Sequence, residues 1–500
     1  MKRFLLILLA LVLFAGCLAA CKGKTPGGTQ TTEPAGNDDV PLPVADYNGK
    51  TYSVLSRDSE SYKQGWIPNE TETGNAIDKA VYKRNKTVEE RYNIDFDFET
   101  GLTTVDDTLA SAFLDRINNM IMGGENTFQL AAGYSYVLSV KSTEGNFLNW
   151  YTVPTVKDDL DKEWWDGDFL LYASYRGCSY IASGPLSLSA MRASACLFFD
   201  EDALNRYKPD SGTEGLFDLV RNGEWTIDRL MDYAGDCTPG NEGDPNARTY
   251  GFASNRNENI DAFVYAFNMG FTGYNEDGDP FILSVGSGNP INLAYGKIKT
   301  FIDSGTYWYV DKDDPDYGDG HVDWLLNRRT VFTAGLLENA EKLRKDPAEI
   351  NYGILPYPKW NEEQEEYLTY KTHSHTDFAI PRTVKEVGGD SEFEFVGTIT
   401  DALAYYSNLY VKDALYNVVL KYHDARDENS SYCVDLILKG GRYDFCNIYA
   451  YKWGDQQGPA HAFRQSLKAQ RAELSTIFGA SKSRYDEILK ELLGTFYTEE

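Results

Sequence analysis

The sequence predicts an α/β protein with two sheet-containing lobes behind an N-terminal tether. Three observations support this. Strand-like and helix-like runs alternate from Thr51 onward. A second alternation opens at Ser194–Tyr207, "SACLFFDEDALNRY", where an apolar run passes straight into a helical pattern. After the first apolar run, no other is long enough to span a bilayer, so the body is expected to be soluble.

The tether comes first. Lys2 and Arg3 precede an apolar run from Phe4 to Phe14, and small residues follow, the order of a secretory signal. The run is too short, with the wrong flanks, for a spanning helix. Leu18-Ala19-Ala20-Cys21 resembles the lipobox of bacterial lipoproteins, in which the cysteine is lipidated and becomes the first residue of the mature chain. Phe14-Ala15-Gly16-Cys17 is a poorer second lipobox, and an ordinary secreted protein with two incidental cysteines is the alternative. Residues 1–20 are therefore expected to be a signal peptide. Residues 21–45, which hold few apolar side chains, are expected to be a flexible leash from the lipidated Cys21 to a body outside the cell.

The first lobe is read as strand, helix, strand, helix, strand. "TYSVLS" (51–56) is β-rich; in 75–92, Asn75 is an N-cap and Ile77, Val81, Val88 and Tyr92 share a helical face. "IDFDFET" (94–100) alternates strictly, giving a strand with one wet face. A helical stretch through Met122 leads to "FQLAAG" (128–133), and right-handed crossovers then make the sheet parallel. The second lobe takes "SACLFF", "TYGFAS" (249–254), "FILSV" (281–285) and helices near 260–269 and 291–302. Three late strands, "RTVFTAG" (329–335), "YGILPYP" (352–358) and "DFAIPR" (377–382), are assigned back to the first lobe. Helices from Phe395 to His423 and from Pro459 to Leu493 are assigned to the second. The expected boundaries are 46–192 with 326–388 for the N-terminal lobe, and 193–325 with 389–500 for the C-terminal lobe.

Composition narrows the function. The formal charge is −28, before loss of the two signal cations. Such a surface disfavours nucleic acid, whose phosphates need a basic face. Tyrosine is abundant, at 35 residues with nine tryptophans, which suits stacking on sugar rings as well as core packing. Five cysteines follow the lipobox (Cys178, Cys196, Cys237, Cys433 and Cys446); an odd count without regular spacing reads as small buried hydrophobes. Cys433 with Cys446 is the pair open to a bridge.

Several motifs have structural readings. In "GEWTIDRL", Thr226 is an N-cap with Trp225 before it and Leu230 four positions on, the geometry of a hydrophobic staple. "PYPKW" fixes an extended turn, though Trp360 is open to a cleft. "DKDDPDYGDGHVD" fails calcium-loop spacing and reads as a solvated acidic loop, and "NEDGDP" reads as a turn at Asp277-Gly278. His373 and His375 lie two apart and face one way if extended, but no third metal ligand is identifiable, so no metal and no cofactor are expected. No GxSxG, P-loop or GxGxxG occurs.

"DKAVYKRNKTVEERYNIDF", "LFDLVRNGEWTIDRLMDYA", "YGILPYPKWNEEQEEY" and "SNLYVKDALYNVVLKYHDARDENS" resemble the extracellular solute-binding lipoproteins of ABC importers in Gram-positive bacteria, the large sugar-binding type above all. The likeness runs in order from Tyr47 to Tyr451. It implies a type II periplasmic-binding-protein-like fold, two lobes joined only by crossing hinge strands, one crossing near Arg192–Phe199. It also implies a monomer that takes a carbohydrate, an oligosaccharide, to an ABC permease without catalysis. The rival readings are a surface glycoside hydrolase and a peptide-binding lipoprotein.

Ligands of open α/β sheets sit beyond the carboxyl ends of the strands. That rule nominates Arg57, Asp58 and the more distant Trp66 after the first strand, Tyr134 and Ser135 after "FQLAAG", and Asn255 after "TYGFAS". Trp165 in "KEWWDGDF" and Trp308 in "SGTYWYV" are stacking candidates. For each aromatic, core packing competes with stacking on a ligand.

Overall fold

Strand β1 (Lys50–Ser56) is buried from Tyr52 to Ser56 and pairs in parallel with β2 (Ile94–Glu99) on one side and β3 (Leu130–Tyr134) on the other. The structure, a computed structural model, describes residues 40–57, 64–68, 75–100, 107–238, 249–255, 258–286, 288–310, 320–345, 350–420, 428–454, 457–468 and 473–496. The signal, Cys17, Cys21 and most of the leash lie outside the described residues, as do Asp58 and residues 311–319 of the acidic loop. Pro43–Glu500 form one compact unit.

The helix Ala76–Tyr92 joins β1 to β2. The Asn75 side chain accepts the amides of Ile77 and Asp78 at 2.9 and 3.0 Å, which satisfies two of the donors a helix start leaves open. Its buried face holds Ile77, Val81, Val88 and Tyr92, the predicted stripe. The chain then leaves the first sheet and forms β4 (Ala195–Asp200), β5 (Tyr250–Asn255), β6 (Tyr307–Val310), β7 (Thr330–Leu336) and β8 (Tyr352–Leu355) before returning as β9 (Thr376–Ala379). The first sheet has the order β9-β3-β1-β2, with β9 antiparallel to β3. The second has the order β8-β4-β7-β5-β6, with β4 antiparallel to both its neighbours.

Two expectations are corrected here. The late strands 329–335 and 352–358 do not return to the first lobe: β7 and β8 flank β4 in the second sheet, and only β9 rejoins the first. Every residue of β4 is buried, and a strand buried on both faces needs a partner along each edge. The helix Gly389–Tyr406, assigned to the second lobe, packs on the first instead. Thr400 meets the Tyr52 hydroxyl at 2.6 Å, Glu392 pairs with Lys50, and the Phe395 ring lies edge-on to Tyr47 at 4.7 Å.

A third correction concerns the joint. The chain passes between the sheets within 183–194, from the bridge Ala182↔Phe378 to the first residue of β4, and residues 356–375 lead back. Yet crossing strands are not the only connection. One apolar cluster runs from Leu55 and Ala131 of the first sheet to Leu197, Phe252 and Phe332 of the second, through Phe445, Tyr449 and Phe463 of the C-terminal segment. A second cluster joins Ile77 and Val81 to Phe198 and Ile354. The C-terminal segment is an apolar bridge, a feature that helical periodicity alone does not announce.

The structural motifs behave as their chemistry requires. Trp225 and Leu230 are wholly buried, Thr226 caps the helix Ile227–Asp236, and the Trp225 indole donates to the Pro356 carbonyl at 3.1 Å. At "NEDGDP" the Asn275 side chain accepts the amides of Asp277 and Asp279, and Gly278 takes φ +81°, a conformation that costs a glycine little. The five body cysteines are buried, and no disulfide joins them.

Candidate ligand-binding cleft

Parallel pairing of β1 with β3, and the antiparallel return of β9, bring Arg57, Tyr134 and His375 to one end of the first sheet. The Arg57 amide donates to the Ala132 carbonyl at 3.0 Å and Nη1 to the His375 carbonyl at 3.1 Å, with the guanidinium 4.4 Å over the Tyr134 ring. The Ser135 amide donates to the same His375 carbonyl at 2.9 Å, so three of the predicted residues form one cluster. Tyr134 continues into the helix Ser135–Ser142, which places Tyr136 beside it at 5.9 Å.

The carboxyl end of β5 supplies the facing wall. The Asn255 amide donates to Asn259 Oδ1 at 3.1 Å, and the Asn259 amide donates to Asn255 Oδ1 at 3.3 Å. This exchange closes the turn into the helix Glu258–Ala266, which carries Glu258 and Tyr265. Between the walls is a cavity of ≈ 200 Å³ lined by Tyr134, Tyr136, Glu258, Tyr265, His373 and Arg464, with Asn447 and His461 also on its surface. It takes residues from the end of β3, from the helix that follows β5, and from the C-terminal segment.

The charges in this cavity are internally matched. Arg464 pairs with the buried Asp261. Burial pushes the Asp261 carboxyl up to about 7, with Arg464 opposing and Glu258 adding to the rise. His373 lies on the Tyr136 ring at 4.6 Å with 25° between the planes. Burial, then Arg464 and His375, drives it down to about 3, so the ring is neutral at physiological pH. The Ser374 hydroxyl donates to Glu258 at 3.3 Å. Tyr265 stacks on Tyr370 at 4.7 Å, and burial raises its phenol well above the ordinary range.

His373 and His375 diverge, because 371–375 is not a strand. His375 turns its ring between the Thr372 carbonyl and Asp377, 3.0 Å from Oδ1, while His373 faces the cavity. Among the described residues no group of three or more His, Cys, Asp or Glu side chains is placed to hold a metal ion.

The tryptophans nominated from sequence lie elsewhere. Trp66 is buried against Phe98 and Phe378, with its carbonyl accepting from Asn85. Trp308 stacks on Trp324 at the far edge of the second sheet, and Trp360 packs on Phe267 under the Lys297 ammonium. Trp165 lines a separate cavity of ≈ 290 Å³ with Asp166, Lys371 and Lys412, but its indole is spent on Asp401 at 2.8 Å. In that cavity burial opposes the Asp166 charge, but Lys371, Tyr443 and the Phe169 amide outweigh it and hold the carboxyl below its usual range. Tyr136, Glu258, Tyr265 and Arg464 were not nominated. Glu258 had the nearest signal, three residues beyond Asn255; Arg464 had none.

No protein-family model matches the chain, and no curated relative does. Solved structures do match across nearly its whole body. A cyclic α-maltosyl-1,6-maltose binding protein from Arthrobacter globiformis superposes with TM-score 0.56 at 10% identity, covering 89% of this chain and 100% of that one. An ABC substrate-binding protein from Listeria monocytogenes, in complex with cycloalternan, gives 0.53 at 12% identity, covering 88% and 99%. The GacH receptor of Streptomyces glaucescens gives 0.53 at 11% identity, covering 89% and 99%. This is a periplasmic-binding-protein-like fold. Ligands of open α/β sheets sit beyond the carboxyl ends of the strands, and the cavity between Tyr134 and Glu258 lies next to the ends of β3 and β5. Among the described residues no helix is long and apolar enough to cross a membrane.

Proposed function

We propose that the protein is the lipid-anchored, extracellular solute-binding component of an ABC importer, and that it captures a carbohydrate without catalysis. The supporting observation is the cavity between the strand ends: tyrosine faces for sugar CH groups, beside a carboxylate, an amide and a guanidinium for hydroxyls. The similar structures include a cyclic α-maltosyl-1,6-maltose binding protein from Arthrobacter and a Listeria substrate-binding protein in complex with cycloalternan, which supports a carbohydrate solute here. A cavity of ≈ 200 Å³ is below the roughly 300–1,000 Å³ of usual ligand clefts, so it is read as the pocket for one unit of an oligosaccharide that continues outward.

The hydrolase reading needs two carboxyl groups across one glycosidic bond. Among the described residues the cavity wall presents one, Glu258, since Asp261 is turned into its pair with Arg464. The deciding experiment is a thermal-shift screen of neutral oligosaccharides against the purified body, with reducing ends assayed in parallel. A shift of several degrees without new reducing ends supports capture. New reducing ends overturn it in favour of a hydrolase, and a response to peptides alone overturns the choice of solute.

A further inference from the structure

We propose that the Tyr265 hydroxyl and the His373 ring are the groups of this cavity that read a hydroxyl of a neutral sugar unit and reject charged ones; this rests on the carbohydrate reading above. Tyr265 is wholly buried and lines the cavity, and its hydroxyl has no hydrogen-bond partner among the described residues. Native proteins rarely leave a buried hydroxyl unpaired, because the desolvation is not repaid. Its ring is fixed by the near-parallel Tyr370, so the hydroxyl does not swing away to find another partner. His373 Nδ1 is likewise buried and without a partner, in a ring held flat on Tyr136.

A tyrosine hydroxyl donates and accepts, and a neutral imidazole has one nitrogen for each. A sugar hydroxyl does the same, so it satisfies both groups. A carboxylate only accepts and an ammonium only donates. An anionic ligand would want the Arg464 charge, which Asp261 already holds, and it would face Glu258 across the cavity. The site is therefore matched to neutral hydroxylated rings over uronic acids and peptide termini. A site built to bond a hydroxyl rejects the analogue that lacks it, because its own buried groups are then left unpaired.

The test starts from the tightest binder in a panel of neutral di- to pentasaccharides, measured by calorimetry. Tyr265→Phe is expected to weaken that ligand at least tenfold while leaving the unliganded melting point unchanged or higher. Among monodeoxy analogues of the ligand, one is expected to bind the native protein at least tenfold more weakly, yet to bind Y265F as well as the parent sugar does. His373→Phe, which keeps the stack on Tyr136, is expected to weaken binding independently and covers the case where Y265F fails to fold. A uronic-acid counterpart is expected to bind at least a hundredfold more weakly. A glycan that binds both variants at native affinity overturns this assignment and leaves carbohydrate capture standing. A fall of several degrees in the Y265F melting point overturns it too, by showing that the hydroxyl supports the fold. If no glycan binds and a peptide panel does, the carbohydrate reading itself fails.

Discussion

Asp401 holds two tryptophans at once, and its replacement should have an effect that reverses with pH. It lies wholly buried in the helix Gly389–Tyr406, and Oδ1 accepts the indole N–H of Trp164 at 2.9 Å and of Trp165 at 2.8 Å. Burial pushes the carboxyl up from 3.8 to about 6, against the two indole donors that favour its charge, and the neighbouring Asp159 carboxyl adds to the rise. Between those values the folded state binds more protons than the unfolded one, so stability falls as pH rises through that window and is level above it. Two pKa units correspond to ~3 kcal/mol of destabilisation at about pH 8, absent at about pH 4. Asp401→Asn keeps a carbonyl for both indoles and removes the buried charge. It should therefore match the native protein at about pH 4 and exceed it by ~2–3 kcal/mol at about pH 8. Asp401→Ala leaves two buried donors unpaired, at ~1–3 kcal/mol each, so it should lose ~3 kcal/mol at about pH 4 and little at about pH 8. Urea unfolding followed by tryptophan fluorescence across that range gives both curves. An Asn variant whose difference from the native protein is the same at both pH values would refute the buried-charge argument.

Three further outcomes are expected. Asp444→Ala should cost ~2–4 kcal/mol in urea unfolding, because this buried carboxylate accepts the amides of Phe271 and Thr272 at 2.8 and 2.9 Å and the Thr272 hydroxyl at 2.8 Å; a loss under ~1 kcal/mol would show that other groups satisfy those donors. Changing Cys21 and Cys17 together to alanine should abolish acyl labelling and release or stall the protein, and labelling that persists would sink the lipobox reading. Saturating ligand should lower the radius of gyration in X-ray scattering, since a solute that touches both walls gains its second set of contacts only on closure; a tight ligand with an unchanged profile would defeat the closing cleft.

Local features of the fold were legible wherever one short-range rule decides the outcome. The Asn75 cap, the stripe Ile77–Val81–Val88, the Trp225 staple and the Asp277-Gly278 turn each depend on residues within a few positions. The half-wet alternation of "IDFDFET" was legible because β2 is an edge strand with Asp95 and Asp97 exposed. Strand partners were not, since periodicity says that a strand has a buried face but not against which neighbour it pairs. The site divides the same way. Strand-end reasoning nominated Tyr134, which lines the cavity, together with Arg57, Ser135 and Asn255, which are not among its lining residues, whereas the Asp261–Arg464 pair spans 203 positions and leaves no local trace. Of the nominated tryptophans, Trp66 and Trp165 are buried, as the largest apolar rings tend to be, and Trp308 and Trp360 are half-buried against other aromatic rings. Tyrosine, with an apolar ring and a polar tip, lines the cavity instead.

The corrected joint between the lobes also changes what closure can mean. Asp444 ties Phe271 and Thr272 to the C-terminal segment, Arg464 pairs with Asp261, and Phe271 packs on Phe463 and Phe478. Glu258, Tyr265, Asn447 and Arg464 therefore belong to one half whose parts are held by buried polar and aromatic contacts. The first-sheet side meets that half through stacked rings, Tyr136 on His373 and edge-on to Tyr451 at 5.2 Å. It also meets it through buried contacts: the Tyr449 hydroxyl donates to the Ala173 carbonyl at 2.6 Å, and one apolar cluster runs from Leu55 and Ala131 to Phe445 and Phe463. Ring contacts contribute only ~0.5–1.5 kcal/mol each, whereas opening that cluster would expose core surface at about 25 cal/mol per Å². Closure in this chain would therefore have to slide or repack the cluster, not merely part the rings.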